Sequence, residues 1–276
     1  MTLLVLSCLV TFQTRGPKEP AYQGRLISEW IIESFAPPAA KKNEDSSRKA
    51  LQAVGTNALP YLLHLFAVTD APLTRKVSSW VSKISNGRVQ YFPKERAMRI
   101  ASRGLQLLGT NAIPALPTLG KYLDDSWRGQ YAPQSMTGCG RAALPYLTKA
   151  SASTNELLAS EAATALGELA TEIDDALPPL IEMLKSTNRS LRRTVVFRLI
   201  NEKLPASLVV PALMKACEDS DESVQMLAAY ALSAFKTNAH IAIPVLQRLT
   251  RSTNATAARS ASNTLLKLNS ATGPPP

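Results

Sequence analysis

The chain has 276 residues, 45% of them apolar and 19% charged, an ordinary globular balance with material for a substantial core in one or two domains. Its three cysteines, Cys8, Cys139 and Cys217, are odd in number and far apart, which excludes a disulfide framework and a clustered zinc site and reads as buried small apolar residues. The net charge of +10 suits acidic surfaces, anionic lipid or nucleic acid, and it is uneven: residues 1–131 hold 17 basic and 9 acidic side chains, residues 132–276 hold 14 and 12.

Residues 3–12 form an uncharged, mostly apolar run, shorter than a membrane span and within the range of a signal-peptide core. The stretch 1–14 therefore reads as a signal peptide or truncated membrane anchor, which implies an exported or membrane-tethered protein; a cytoplasmic protein is the alternative. Residues 15–24, with Gly16, Pro17 and Pro20, read as a linker. Leu26, Ile27, Trp30 and Ile31 then line one face of a capping helix, placed with its connection at 25–45 and stopped by Pro37 and Pro38. A polar stretch from Lys41 to Ser47 leads into the first helix of a repeat array that extends over 46–269, followed by a tail at 270–276.

The array announces itself in a recurring phrase. Gly-Thr-Asn-Ala-Leu-Pro at 55–60 returns as Gly-Thr-Asn-Ala-Ile-Pro at 109–114, and apolar-Pro pairs follow at Leu144-Pro145, Leu177-Pro178, Val210-Pro211 and Ile243-Pro244. The prolines are spaced by 54, 31, 33, 33 and 33 residues, the mark of a repeat architecture. Within the phrase, Gly55 suits the left-handed end of one helix, Thr56 or Asn57 is expected to cap the next, and Pro60 falls in a first turn whose N–H groups lack internal partners. Leu59, Leu62, Leu63 and Phe66 continue as a helical stripe, so each unit is an antiparallel helix pair.

The interval of 54 contains an insertion at about 73–95, in which Leu73, Val77, Trp80, Val81 and Ile84 predict an amphipathic helix. Later units repeat more regularly. Leu158, Ala162, Ala165, Leu166 and Leu169 recur 66 residues on as Val224, Ala228, Ala231, Leu232 and Phe235, with Leu191, Val195 and Leu199 between and Ala261 and Leu265 beyond. From first-helix leucine to proline the distance is 9 residues for Leu51 and Leu105 but 12 for Leu166, Leu199 and Leu232, which defines two repeat subtypes with the unit at Pro145 as a transition.

Ala-Ala-Thr-Ala-Leu-Gly at 162–167 and Ala-Ala-Tyr-Ala-Leu-Ser at 228–233, each followed by an apolar-Pro pair, resemble bacterial HEAT repeats of the shorter kind. The lead-in Glu19 to Leu26 with Ser28-Glu29-Trp30 is similar to the segment after the membrane anchor in bacterial HEAT-repeat proteins that bring no established activity. The resemblance implies an all-α fold, a right-handed α-α superhelix of stacked antiparallel helix pairs. HEAT units commonly carry an Asp before the first helix and an Arg within it. Asp221 is present here, but Gln225 stands near the expected basic position and only Arg192 or Arg193 supplies one nearby, which leaves the ladder incomplete.

No catalytic or metal-ligating constellation stands out. His64 and His240 are isolated and read as packing or capping residues, and the acidic run Glu218 to Glu222 lacks the glycine and final ligand of a calcium loop, so it reads as helix capping. Neither a cofactor nor a metal is expected. The feature that rises above construction is the basic region from Arg75 through Lys76, Lys83, Arg88, Lys94, Arg96 and Arg99 to Arg103, opposed only by Glu95 and interleaved with Trp80, Tyr91 and Phe92. It is the candidate surface for an anionic partner. The expectation is a non-catalytic protein-binding scaffold, with an anionic membrane surface as a further partner. The alternatives are a nucleic-acid-binding protein, including a DNA glycosylase-like enzyme, and a bilin lyase-like enzyme.

Overall fold

The computed structural model describes residues 16–35, 40–68 and 94–270. The apolar run at 3–12, Pro37 and Pro38, the insertion at about 73–95 apart from residues 94 and 95, and residues 271–276 lie outside them. The chain divides into two compact units, one ending at Gly140 and the other beginning at Arg141, and both are built of helices.

A small hairpin opens the first unit. β1 (Ala21–Tyr22) pairs antiparallel with β2 (Arg25–Leu26), and the turn residues Gln23 and Gly24 have φ of 50° and 75°, the left-handed pair that a two-residue hairpin turn requires. α1 (Ile27–Glu33) follows at once. Glu19 accepts a hydrogen bond from the Ser28 N–H at 2.7 Å, Trp30 Nε1 donates to the Tyr22 carbonyl at 3.3 Å, and the Arg25 guanidinium lies 4.1 Å over the Trp30 ring. The expected linker is therefore shorter than 15–24, because Glu19 onward is clasped to α1. Ile27 and Ile31 are fully buried as expected, whereas Leu26 is exposed because it belongs to the hairpin.

α2 (Ala40–Val54) already includes the polar stretch expected as a lead-in. It is followed by α3 (Leu59–Ala67), α4 (Lys94–Leu108), α5 (Leu116–Tyr122) and the short α6 (Ala132–Met136), which carries Pro133 near its start. α4 packs against α2, α3 and α6. Leu59, Leu62 and Phe66 of the predicted stripe are buried, and Leu63 is half-buried.

The recurring phrase behaves as expected at its glycine and differently at its cap. Gly55 and Gly109 have φ of 60° and 66°. Gly140, five residues before Pro145 as they are before Pro60 and Pro114, has φ of 59°, which groups the transitional unit with the first two. Neither Thr56 nor Asn57 caps α3. A 3-10 turn over Gly55–Ala58 runs straight into it, the N-cap position is Ala58 with helical φ and ψ of −75° and −21°, and the Leu59 N–H meets the Thr56 carbonyl. Side-chain capping needs an extended N-cap residue, which a continuous turn does not offer.

The second unit contains α7 (Leu144–Ser151), α8 (Glu156–Leu169), α9 (Leu177–Glu182), α10 (Arg189–Arg198), α11 (Ala206–Ala216), α12 (Glu222–Leu232), α13 (Ile243–Leu249) and α14 (Ala255–Ser270). The first helices of the repeats, α8, α10, α12 and α14, pack side by side in chain order, while α7, α9 and α11 adjoin one another in a second layer. The predicted stripes from Leu158 to Leu169 and from Val224 to Phe235 are buried throughout, as are Leu191, Val195 and Leu199. The fold is all-α, with helix pairs stacked within each unit.

One break carries strain. Lys236 has φ 49° and ψ −127°, nearly the conformation of Gly140 at 59° and −135°. A side chain there costs on the order of 1–3 kcal/mol. Its exposed ion pair with Glu202 at 3.2 Å offsets little of that. Lys236→Gly is expected to raise stability by about 1 kcal/mol, measured as a higher urea midpoint at unchanged slope; a lower midpoint would show that the break is not strained.

Candidate functional site

Each first helix of the second unit is placed by the same short phrase, one period apart. Ser153-Thr154-Asn155, Ser186-Thr187-Asn188, Asp219-Ser220-Asp221 and Ser252-Thr253-Asn254 precede α8, α10, α12 and α14. The third residue caps the helix: Asn155 accepts from Leu157 and Leu158, Asn188 from Ser190 and Leu191, Asp221 from Ser223 and Val224, and Asn254 from Thr256 and Ala257, at 2.8–3.3 Å. The first residue accepts from the backbone N–H of the third at 3.1 Å where it is Ser and 2.7 Å where it is Asp219. Two orphan donors of each helix end are thereby satisfied, and a carboxylate at the third position also meets the positive end of the helix. The capping role expected for the acidic run is thus filled by Asp221. The Ser-Thr-Asn recurrence that signals the other three caps was legible at the same period as the prolines.

Asp219 does more than its serine counterparts. Arg192 on α10 grips it with two 2.7 Å bonds, Nε to Oδ2 and Nη2 to Oδ1, and Nη1 donates to the Ser186 and Thr187 carbonyls at 2.9 and 3.1 Å. The pair is nearly closed to solvent, at 10% and 11% exposure. Burial pushes the Asp219 carboxyl up, but the Arg192 hydrogen bonds, the Asp221 N–H and the Arg192 charge outweigh it and hold the carboxyl below the usual range. Gln225, one period after Arg192, donates from Nε2 to the Asp219 carbonyl at 2.7 Å, so the position expected to break the ladder reaches back to its own loop as Arg192 does.

With the first helices in register, their outward residues form a face. Phe197 on α10 and Tyr230 on α12 lie one period apart, 58% and 50% exposed. Thr164 on α8 and Asn263 on α14 hold the corresponding flanking positions. Half-buried Met226 lies one helical turn before Tyr230, and Arg193 and Arg259 hold the corresponding turns of α10 and α14. The Arg198 guanidinium is 5.6 Å from the Phe197 ring and Lys267 Nζ is 5.4 Å from that of Tyr230. The stem of Arg198 lies where a side chain at Gly167 of α8 would go. Burial raises the Glu161 carboxyl on α8, with the Arg198 charge opposing.

The basic residues predicted from sequence are placed differently from one another. Arg75, Lys76, Lys83 and Arg88 lie outside the described residues. Lys94 sits 4.0 Å from the centre of the Trp127 ring, Arg99 lies 5.5 Å over Phe35, and Arg96 is exposed on α4. Arg103 turns inward. At 19% exposure it pairs with Glu44 at 2.7 Å and donates to Ser34 Oγ and Gln106 Oε1, a cross-link between α2, the end of α1 and α4. Burial raises Glu44, but Arg103 and Arg48 together draw it below its ordinary value. Cys139 and Cys217 are buried free thiols, pushed up by burial to about 11 and 12, which fits inert core residues. His240 Nε2 lies 3.4 Å from the Leu268 carbonyl, and the His64 ring packs on Gly16. Among the described residues, no group of three His, Cys, Asp or Glu is arranged to hold a metal, and no helix is long and apolar enough to cross a membrane.

Residues 201–267 match the family of HEAT repeats, and residues 158–186 match the PBS lyase HEAT-like repeat. These two stretches of the chain are HEAT-like repeats. Both matched stretches fall in the second unit, where the HEAT period is regular and the capping phrase recurs. No curated protein matches the sequence. Among solved structures, the chain is similar to a designed armadillo repeat protein in complex with the peptide (KR)4, at 21% identity over 64% of this chain and 95% of that one, with a TM-score of 0.43. Human deoxyhypusine hydroxylase in complex with glycerol is similar at 14% identity over 88% and 95%, TM-score 0.40. The karyopherin Kap121p, bound to the extreme C-terminus of the protein phosphatase Cdc14p, is similar at 13% identity over 88% of this chain and 29% of its own, TM-score 0.49.

Proposed function

We propose that this HEAT-repeat chain is a non-catalytic scaffold that binds another protein through its second unit. The observation that carries the reading is that exposed apolar side chains recur one period apart in both layers of the unit. Phe197 and Tyr230 do so on the first helices, and Leu208 and Ile241 on and just before the second helices α11 and α13. Half-exposed apolar groups repeated in register make a surface suited to an extended partner. Photo-crosslinking tests this. With a benzophenone amino acid at position 197 or 241 in cells that naturally make the protein, a discrete protein adduct is expected from at least one position. Adducts with nucleic acid alone would overturn the scaffold.

We further propose that the run at 3–12 directs export or tethers the chain to a membrane. Fractionation without detergent is expected to recover it with the cell envelope, and wholly soluble, unprocessed protein would overturn this placement.

A further inference from the structure

The face around Phe197 and Tyr230 has a chemistry that the scaffold reading does not specify. Two aromatic side chains stand half out of the protein on adjacent helices, whose axes are expected to lie about 10 Å apart. Around them are Arg193, Arg198, Arg259 and Lys267. Several other cations of the unit are paired: Arg141 with Asp175, Lys185 with Glu182, Arg189 with Asp221, Arg192 with Asp219, Lys236 with Glu202 and Arg248 with Glu218. No ion pair among the described residues involves Arg193, Arg259 or Lys267. Arg198 is the one of the four set against a carboxylate, that of Glu161 on α8, which burial raises and the Arg198 charge lowers. Aromatic residues with arginine are the usual composition of a binding hot spot, and a rim of unneutralised cations selects a partner of opposite charge.

On this basis, and resting on the scaffold reading, we propose that the first-helix face of the second unit docks an acidic segment of a partner protein. The segment seats two apolar side chains at Phe197 and Tyr230, about one helix spacing apart, and directs carboxylates to Arg193, Arg259 and Lys267. The same composition would suit a single nucleic-acid strand, in which bases stack on open aromatic faces. Here a cation already sits near each ring, Arg198 at Phe197 and Lys267 at Tyr230, which leaves less open ring face for a base and places charge where a carboxylate can meet it.

The test is selection of peptides from a random 12-residue display library on the full chain, with binding of the selected peptides compared between wild type, Phe197→Ser/Tyr230→Ser and Arg193→Glu/Arg259→Glu/Lys267→Glu. Thermal melts confirm that both variants fold, which solvent-exposed substitutions of this kind permit. Selected peptides are expected to be acidic with two apolar residues, to lose at least tenfold in affinity on either variant, and to weaken as salt rises. Peptides that bind both variants as well as wild type would overturn the face while leaving the scaffold intact. No selected peptide, together with a 20-residue oligothymidylate that binds wild type and not the variants, would overturn both. Concentration-dependent dimerisation abolished by the serine variant would assign the face to a second copy of this chain and also overturn the proposal.

Discussion

Arg192→Met is expected to cost about 3 kcal/mol of stability, seen as a lower urea midpoint, because it strands the Asp219 carboxylate in a nearly closed site. The neighbouring change Arg193→Met, on the exposed side of the same turn, is expected to stay within about 0.5 kcal/mol. The loss in Arg192→Met comes from the unpaired charge and from the Ser186 and Thr187 carbonyls left without their donor. Restoring the serine that the other three capping phrases carry should therefore rescue it. In Arg192→Met/Asp219→Ser the hydroxyl can still accept from the Asp221 N–H, as Ser153, Ser186 and Ser252 do in their own turns. Most of the loss is expected to return. If the double variant is as unstable as the single one, the pairing is not the cause.

The pH dependence has a definite sign. In the wild type Asp219 titrates below its unfolded value, so its contribution is present above the ordinary aspartate range, near 3.9, and is lost as pH falls through the lower folded value. In Arg192→Met the burial remains and the compensation is gone, so the folded carboxyl titrates above the unfolded value and protonation favours the folded state. The gap between the two proteins is therefore expected to be widest at neutral pH and to narrow as pH falls toward 4. A gap that widens in acid would contradict the assignment.

Gly138→Ala is expected to cost roughly 3 kcal/mol, the upper end for overpacking. A Cβ at Gly138 would run into the Gln106 carbonyl oxygen, with the Gln106 carbonyl carbon at 2.9 Å and its Cα at 3.1 Å. These are backbone atoms of α4, which cannot turn aside as a side chain can. Gln106 is also fixed at its amide, where Nε2 donates to Thr137 Oγ1 at 3.0 Å and Oε1 accepts from Arg103. Relief thus requires the Thr137–Ala143 turn to move away from α4. Thermal unfolding measures the loss, and an unchanged melting temperature would show that this seam is looser than described. The close approach of Gly138 to α4 is visible only in three dimensions.

What the sequence by itself determined is whatever repeats or acts locally. The period of 33, the buried stripes from Leu158 to Leu169 and from Val224 to Phe235, the helix starts at Pro60, Pro145, Pro178 and Pro244 and the left-handed glycines at 55 and 109 follow from helical periodicity and backbone sterics, whereas Pro114 lies in the 3-10 turn before its helix and Pro211 inside one. The capping phrase was equally local and equally legible, three copies of Ser-Thr-Asn and one of Asp-Ser-Asp. Only the tertiary structure decided which charges are structural. Arg103 and Arg192 look like any other basic residue on a helix, yet Arg103 meets Glu44 and Arg192 meets Asp219, 27 residues away, while Arg193 next to it points outward. The outward row of Phe197 and Tyr230 was hidden for the same reason. An aromatic on an amphipathic helix is as consistent with the core as with the surface until neighbouring helices settle which flank of each one they cover.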